Sequence, residues 1–379
     1  MVTIDPFATP DPSLPPGTLD LSALGWQTVV QELDPQTSEL IGHWLAVGAL
    51  DNAEPAWFER LIQTPWRFDL FATQEPVVDG PESGQVLFVS DDGSSSTVYV
   101  IGIDGSGPEP MQTLPGVAYT ARLSPDGLAA YVVVLDRDTG RDLGVWRVRL
   151  HGAPLAQAVM PPPSVDRAAL RGGNRLAATT RFVRKLQISA DGSQVARLAC
   201  GEPYGVCVLD VLNVIDGTIA SNEPPGQSGD LTAIGDGVIL GIDYCITATR
   251  CVTDGIDVPG TEVRQFPGWP PALDQDGHLL LLQFPGPTRV TRSFVSTLLD
   301  GSGTRLVFVT DGYVRPIYQE GIDFVGVRME LPWGWVAVNL EWLMDDGEYR
   351  VVPAAVRLAD GGWVVLTLPE IYPIGGGHD

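Results

Sequence analysis

From about Trp66 onward the apolar residues fall in short runs, each cut off by a turn that contains glycine. Val86-Leu87-Phe88-Val89 and Ala129-Ala130-Tyr131-Val132-Val133 show the type. They are too short for helices, rich in β-branched and aromatic residues and bounded by turn formers, so they predict strands. The turns come in two classes that alternate. Ser83-Gly84, Asp126-Gly127, Asp191-Gly192, Asp236-Gly237, Asp276-Gly277 and Trp333-Gly334 each follow one strand and precede an apolar run. Asp104-Gly105, His151-Gly152, Asp216-Gly217, Asp254-Gly255, Asp300-Gly301 and Asp360-Gly361 follow the next pair of strands. Tight hairpins need positive φ, which glycine adopts without a Cβ clash, and this accounts for the recurring Asp-Gly pairs.

Six units of strand, turn, strand, hairpin, strand, turn, strand result, each of roughly 50 residues, the size of a four-stranded propeller blade. The fold class this predicts is all-β: a six-bladed β-propeller of four-stranded antiparallel blades spanning 66–370. Seven blades are the alternative if the helical N-terminal region hides strands or the Arg-rich insertion between the second and third units forms a partial blade. Before that region, 1–22 is a Pro-rich linker, and 23–65 is expected to form a cap with a β-like run at Gln27 to Leu33 and two short helices. The first helix is expected over 39–47, where Leu40, Ile41, Trp44, Leu45 and Val47 make an apolar stripe behind the caps Thr37 and Ser38. The second is expected over 55–63, with Pro55 in its first turn. A Gly-rich tail, 371–379, closes the chain.

Charge bears on partners. The 379 residues carry 23 basic and 47 acidic side chains, a net charge of −24, while 44% hydrophobic residues supply a sizeable core. Such an excess of carboxylate repels a phosphate backbone, so nucleic acid is excluded as a partner, and an anionic membrane surface is disfavoured likewise. No apolar run is long enough for a membrane span. Lys185 is the sole lysine among the basic residues. Four cysteines form two close pairs, Cys200 with Cys207 and Cys245 with Cys251, spaced for bridges across short hairpins and pointing to an oxidising compartment. Together with the Pro-rich start this predicts an extracytoplasmic protein, periplasmic, cell-surface or secreted, in which Met1 stands in place of a removed signal peptide or lipoprotein leader.

The turns also carry a family likeness. Ala121-Arg122-Leu123-Ser124-Pro125-Asp126-Gly127 and Leu186-Gln187-Ile188-Ser189-Ala190-Asp191-Gly192 resemble the Ser-Pro-Asp-Gly turn of the TolB-type (WD40-like) β-propeller repeats. Val98-Tyr99-Val100-Ile101-Gly102-Ile103-Asp104-Gly105-Ser106-Gly107 and Leu298-Leu299-Asp300-Gly301-Ser302-Gly303 resemble that family's second turn. The resemblance covers roughly 80–310 and implies a propeller that serves as a protein-binding platform in the cell envelope. It is silent on any particular function, because one scaffold carries many activities.

Candidate chemistry is sparse. No Gly-x-Ser-x-Gly elbow occurs, and His43, His151, His278 and His378 are the only histidines, so neither a hydrolase triad nor a histidine-built zinc site is at hand. Ser189-Ala190-Asp191-Gly192 departs from the Asp-box of six-bladed sialidases in its spacing and lacks the aromatic beyond. Asp136, Asp138 and Asp142 alternate with a glycine as in a cation-binding loop, which makes calcium the one cofactor with a candidate site, although no bidentate glutamate follows. Arg167, Arg171, Arg175, Arg181, Arg184 and Lys185 form a basic stretch in an acidic chain. Guanidinium groups grip carboxylates, so this stretch is a candidate for an acidic protein, an anionic glycan or a second copy of the chain. Trp333 and Trp335 alternate with Val336 and Val338 and are candidates for a surface contact, with packing between blades as the plainer use.

The function expected is therefore non-enzymatic binding or scaffolding of a protein or glycan, with self-association as a further mode. A carbohydrate-active enzyme, glycosidase or lyase, with carboxylates in the central channel is the alternative. A structural component of a surface layer or filament is the second.

Overall fold

The computed structural model describes residues 19–63, 76–163, 182–189, 191–201 and 207–222, and beyond these the strands named below with a few flanking residues. A 3-10 turn at Leu21–Ala23 leads into β1 (Gly25–Leu33), β2 (Leu40–Ala49) and β3 (Trp57–Arg60). Then come β4 (Val78–Glu82), β5 (Gln85–Asp91), β6 (Ser96–Gly102) and β7 (Glu109–Leu114), followed by β8 (Val117–Leu123), β9 (Ala129–Leu135), β10 (Asp142–Arg149) and β11 (Ala156–Met160). The next group is β12 (Phe182–Ile188), β13 (Gln194–Gly201), β14 (Cys207–Asn213) and β15 (Ile219–Asn222). After it run β16 (Leu231–Gly235), β17 (Val238–Gly241), β18 (Cys245–Thr247), β19 (Arg250–Asp257) and β20 (Val263–Pro267), then β21 (Ala272–Leu273), β22 (His278–Gln283), β23 (Arg292–Leu298) and β24 (Arg305–Thr310). The last are β25 (Tyr313–Ile317), β26 (Val327–Met329), β27 (Trp335–Leu343), β28 (Tyr349–Arg357) and β29 (Trp363–Val365).

Each group is an antiparallel sheet whose strands lie in chain order, with β18 and β20 both on β19 and with one exchange. β26 leaves its neighbours and pairs with β1, completing the sheet β26-β1-β2-β3, while β25 pairs directly with β27. The described residues thus make seven sheets. The seventh comes from the segment expected to be a helical cap. The stretch expected as a helix over 39–47 is strand β2, and 55–63 contributes β3. The reason is burial on both faces. On β2, Ala46 packs with Trp26, Trp335 and Leu366, while Leu45 and Val47 pack with Val86, Phe88 and Ile101. A strand sandwiched between two sheets needs a continuous apolar run, which cannot be told from a buried helix by spacing alone. β1 sits second in its sheet, between β26 and β2.

The first strand of each sheet lies against the first strand of the next, β4 against β8, β8 against β12, β12 against β16 and β16 against β21. The apolar core is correspondingly divided into slabs between sheets. One joins Leu87 and Val89 to Ala121, Val132 and Val148, another joins Tyr131, Val133 and Val145 to Leu186, Val195 and Leu212. The turns explain the repeat. Ser124 Oγ accepts from Ala129 N at 2.9 Å and donates to Asp126 Oδ1 at 2.5 Å, while Asp126 Oδ1 accepts from Leu128 N at 2.9 Å. Ser189, Asp191, Ser193 and Gln194 repeat this arrangement. Gly84, Gly127 and Gly192 hold φ of 71°, 67° and 72°, and Gly105, Gly152 and Gly217 of the second turn class are likewise positive.

Candidate functional site

The polar side chains that link the sheets form a pattern. Asp79, Arg122 and Gln187 each stand five residues ahead of the turn glycine of their sheet, Gly84, Gly127 and Gly192, so they occupy one repeat position on the first strands β4, β8 and β12. They are joined in series. Arg122 donates Nη1 to Asp79 Oδ1 at 2.8 Å and Nε to Gln187 Oε1 at 3.0 Å. The other Asp79 oxygen accepts the Leu123 backbone N–H at 2.6 Å. Asp79 and Gln187 are buried, whereas the Arg122 side chain keeps 23% of its surface. Its Nη2 has no hydrogen-bond partner among the described residues.

Two further ion pairs cross between neighbouring sheets. Arg137 in the β9–β10 turn holds Asp91 of β5, and Arg197 of β13 lies 3.9 Å from Asp142 of β10 while also bonding Asp210 of β14. In all three links an arginine reaches back to an aspartate of the preceding sheet. Burial pushes the Asp91 carboxyl up, but hydrogen bonds from Arg137, Ser96 and Gly93 outweigh it and hold the group below the usual carboxylate range.

The residues expected from sequence are placed as follows. Arg167, Arg171, Arg175, Arg181 and Trp333 lie outside the described residues. Arg184 is on β12 opposite Ala199, and Lys185 follows it, exposed, opposite Leu198. Trp335 is 9% exposed and packs with Trp26, Leu331 and Ala355, the use between sheets rather than at the surface. Asp136, Asp138 and Asp142 are not brought together. Asp136 Oδ1 accepts from Thr139 N and Oγ1 at 2.8 and 2.5 Å, Asp138 is exposed, and Asp142 is buried facing Arg197. Among the described residues no group of three or more His, Cys, Asp or Glu is placed to hold a metal ion. In register, Cys200 stands opposite Cys207 and Cys245 opposite Cys251.

Sequence reasoning passed over Asp79, Arg122 and Gln187, although their common spacing from a turn glycine was a usable signal. Three unlike residue types hide the equivalence, and only the fold brings positions this far apart in the chain into contact.

No protein-family profile matches the sequence, and no curated protein matches it. Solved structures do. A prolyl endopeptidase is similar at a TM-score of 0.49 and 11% identity, covering 92% of this chain and 51% of that one. The β-propeller domain of Cps50 (Swd1) from Myceliophteria thermophila gives 0.39 and 11%, covering 89% and 95%. A putative TolB from Agrobacterium tumefaciens gives 0.35 and 12%, covering 82% and 99%. The chain spans about half the length of the first solved structures it matches.

Proposed function

We propose that this chain is a seven-bladed, extracytoplasmic propeller that binds or scaffolds a protein or glycan partner without catalysing a reaction on it. The seven sheets are its blades, and the pairing of β26 with β1 closes the ring by completing the N-terminal sheet with a strand from the far end of the chain. A closed ring needs no exposed central edges, which suits an all-β chain of this length. The observation that carries the binding reading is the row Asp79–Arg122–Gln187. Its members are committed to one another and leave one directed donor, Arg122 Nη2, as in a recognition site held rigid by its surroundings.

Export is supported by the cysteine registers. Directly opposed strand residues have Cα separations of about 4.5–5.5 Å, inside the range a disulfide spans. In this reading Cys200–Cys207 and Cys245–Cys251 are bridges, and non-reducing peptide mapping of exported protein is expected to find those two pairings. The test of function is to screen the protein on a glycan array and against envelope proteins, while assaying the same glycans for release of reducing ends or unsaturated uronates. Retention without release supports binding. Release overturns it in favour of the glycosidase or lyase alternative.

A further inference from the structure

We infer that Trp44, Phe58, Glu32 and Arg60 form a platform for a pyranose ring of a neutral glycan, on one face of the N-terminal sheet at its β3 edge. The inference rests on the binding reading above and chooses the glycan among its partners.

The strand registers bring these residues together. Trp44 of β2 stands opposite Arg60 of β3, Ala46 opposite Phe58, and Gly42 opposite Glu32 of β1, so all of them lie on one face of the sheet. Trp44 and Phe58 stack with ring centroids 5.0 Å apart. Stacking takes one face of each ring, yet Phe58 is still 41% exposed, so aromatic surface remains open to solvent beside its partner.

The polar rim is fixed in place. Glu32 Oε2 accepts from Trp44 Nε1 at 3.1 Å and lies 2.7 Å from Arg60 Nε, while Arg60 Nη2 donates to the Ile41 carbonyl oxygen at 2.9 Å. Glycine at 42 makes room for this arrangement: a Cβ there would lie 2.8, 2.9 and 2.9 Å from Arg60 Nη2, Arg60 Nε and Glu32 Oε2. Glu32 Oε1 and Arg60 Nη1 have no hydrogen-bond partner among the described residues. The platform therefore offers an aromatic face with one acceptor and one donor beside it. A sugar ring matches this in reverse, since its C–H face packs on an aromatic ring and its hydroxyls both donate and accept. Charge selects among glycans. Glu32 and Arg60 cancel, so the platform favours neither sign, and the −24 charge of the whole chain disfavours an anionic ligand. The occupant is a neutral glycan rather than an acidic polysaccharide.

Trp44 reports on its own site. Its indole N–H is one of ten tryptophan side chains, and its NMR signal is assigned by its disappearance in Trp44→Phe. Cellohexaose, xylohexaose and mannohexaose are the probes. At least one is expected to move that signal with saturation at about 1–10 mM, the range for a ligand held through one or two rings, and mannitol, a polyol without a ring face, to leave it in place. Phe58→Ala is expected to weaken the response about tenfold. Gly42→Ala keeps both rings and displaces the rim. The atoms it meets end flexible side chains, so the sheet accommodates it, and a several-fold weakening is expected. The urea midpoint of each variant checks that it folds, and should Phe58→Ala fail to fold, Gly42→Ala decides. No saturable shift with any of the three hexasaccharides, an equal response to mannitol, or an unchanged response in a folded variant overturns the platform. A protein partner whose retention is lost in folded Phe58→Ala, while the hexasaccharides leave Trp44 unmoved, overturns it in favour of a protein contact. Array retention by the whole protein is scored apart: retention that persists in Phe58→Ala keeps the binding function and overturns this site alone.

Discussion

Arg137 donates Nη1 and Nη2 to the two carboxylate oxygens of Asp91, at 3.0 and 2.9 Å, and so joins the β9–β10 turn to the end of β5 in the preceding sheet. The pair is bidentate and its acid is buried, with the Ser96 hydroxyl as a further donor. Both features make it stronger than an ordinary surface pair.

Arg137→Ala is therefore expected to lower stability by about 1.5–3 kcal/mol, the range for hydrogen bonds to a charged group, read as a fall in the urea midpoint. The pH dependence has a definite sign. The Asp91 carboxyl sits below the ordinary aspartate value in the folded chain, so its contribution is present above that ordinary value and is lost as pH falls through the folded one. The variant should lose part of this acid sensitivity. A midpoint with unchanged pH dependence would show that Arg137 does not hold the carboxyl down.

Arg197 presents the costlier case. It is 1% exposed, stands opposite Asp210 in register, donates Nε to Asp210 Oδ2 at 3.2 Å and faces Asp142 of the neighbouring sheet. Ser221 Oγ satisfies the other Asp210 oxygen at 2.6 Å. Removing the only guanidinium among these groups leaves two buried carboxylates without their shared cation. Arg197→Met is expected to cost about 3–5 kcal/mol. Asp210→Asn should cost less, because it removes one of the two negative charges and Arg197 keeps Asp142. Chemical denaturation of both variants checks the order, and a larger loss for Asp210→Asn would refute it.

The parts of the fold legible in the sequence are those whose cause is local. Ser124, Asp126 and Gly127 build their turn from their own side chains and φ, so the motif predicts the hairpin wherever it occurs. β2 was not legible, because its apolar run is set by two sheets that are distant in sequence. The site divides the same way. The Asp136–Asp142 loop has a ligand-like spacing, but Asp136 serves its own turn, while strand β10 carries Asp142 inward to Arg197. The partnership of Asp79, Arg122 and Gln187 exists only between sheets.

Asp92 offers a sharper titration. The Ser94 hydroxyl, the Ser95 and Ser94 backbone N–H groups and the Ser95 hydroxyl hold its carboxyl down to about 2 from 3.8, against a small opposing effect of burial. Carbon-detected NMR should follow its titration near pH 2. Ser94→Ala removes the largest of these influences and is expected to raise the value toward 3.8. A value already near 3.8 in the parent protein would mean that the turn does not form in solution.

Gly144 and Gly152 both hold positive φ, at 97° and 84°, but differ in what surrounds them. A Cβ on Gly152 meets nothing within 4 Å, so Gly152→Ala pays backbone strain alone, about 1–2 kcal/mol. A Cβ on Gly144 would lie 2.1 Å from the Met160 carbonyl oxygen, an atom fixed in the backbone. Gly144 also donates its N–H to the buried Asp142 at 2.6 Å. Gly144→Ala must displace β11 or that hydrogen bond as well as adopt the strained φ. It is expected to lower the thermal midpoint clearly more than Gly152→Ala, and because Asp142 faces Arg197 the damage should reach the junction with the next sheet. Hydrogen exchange tests this: amides of β13 should lose protection in Gly144→Ala and keep it in Gly152→Ala. Equal effects of the two substitutions would show that β11 gives way at little cost and that the contact with Met160 does not hold the sheet edge in place.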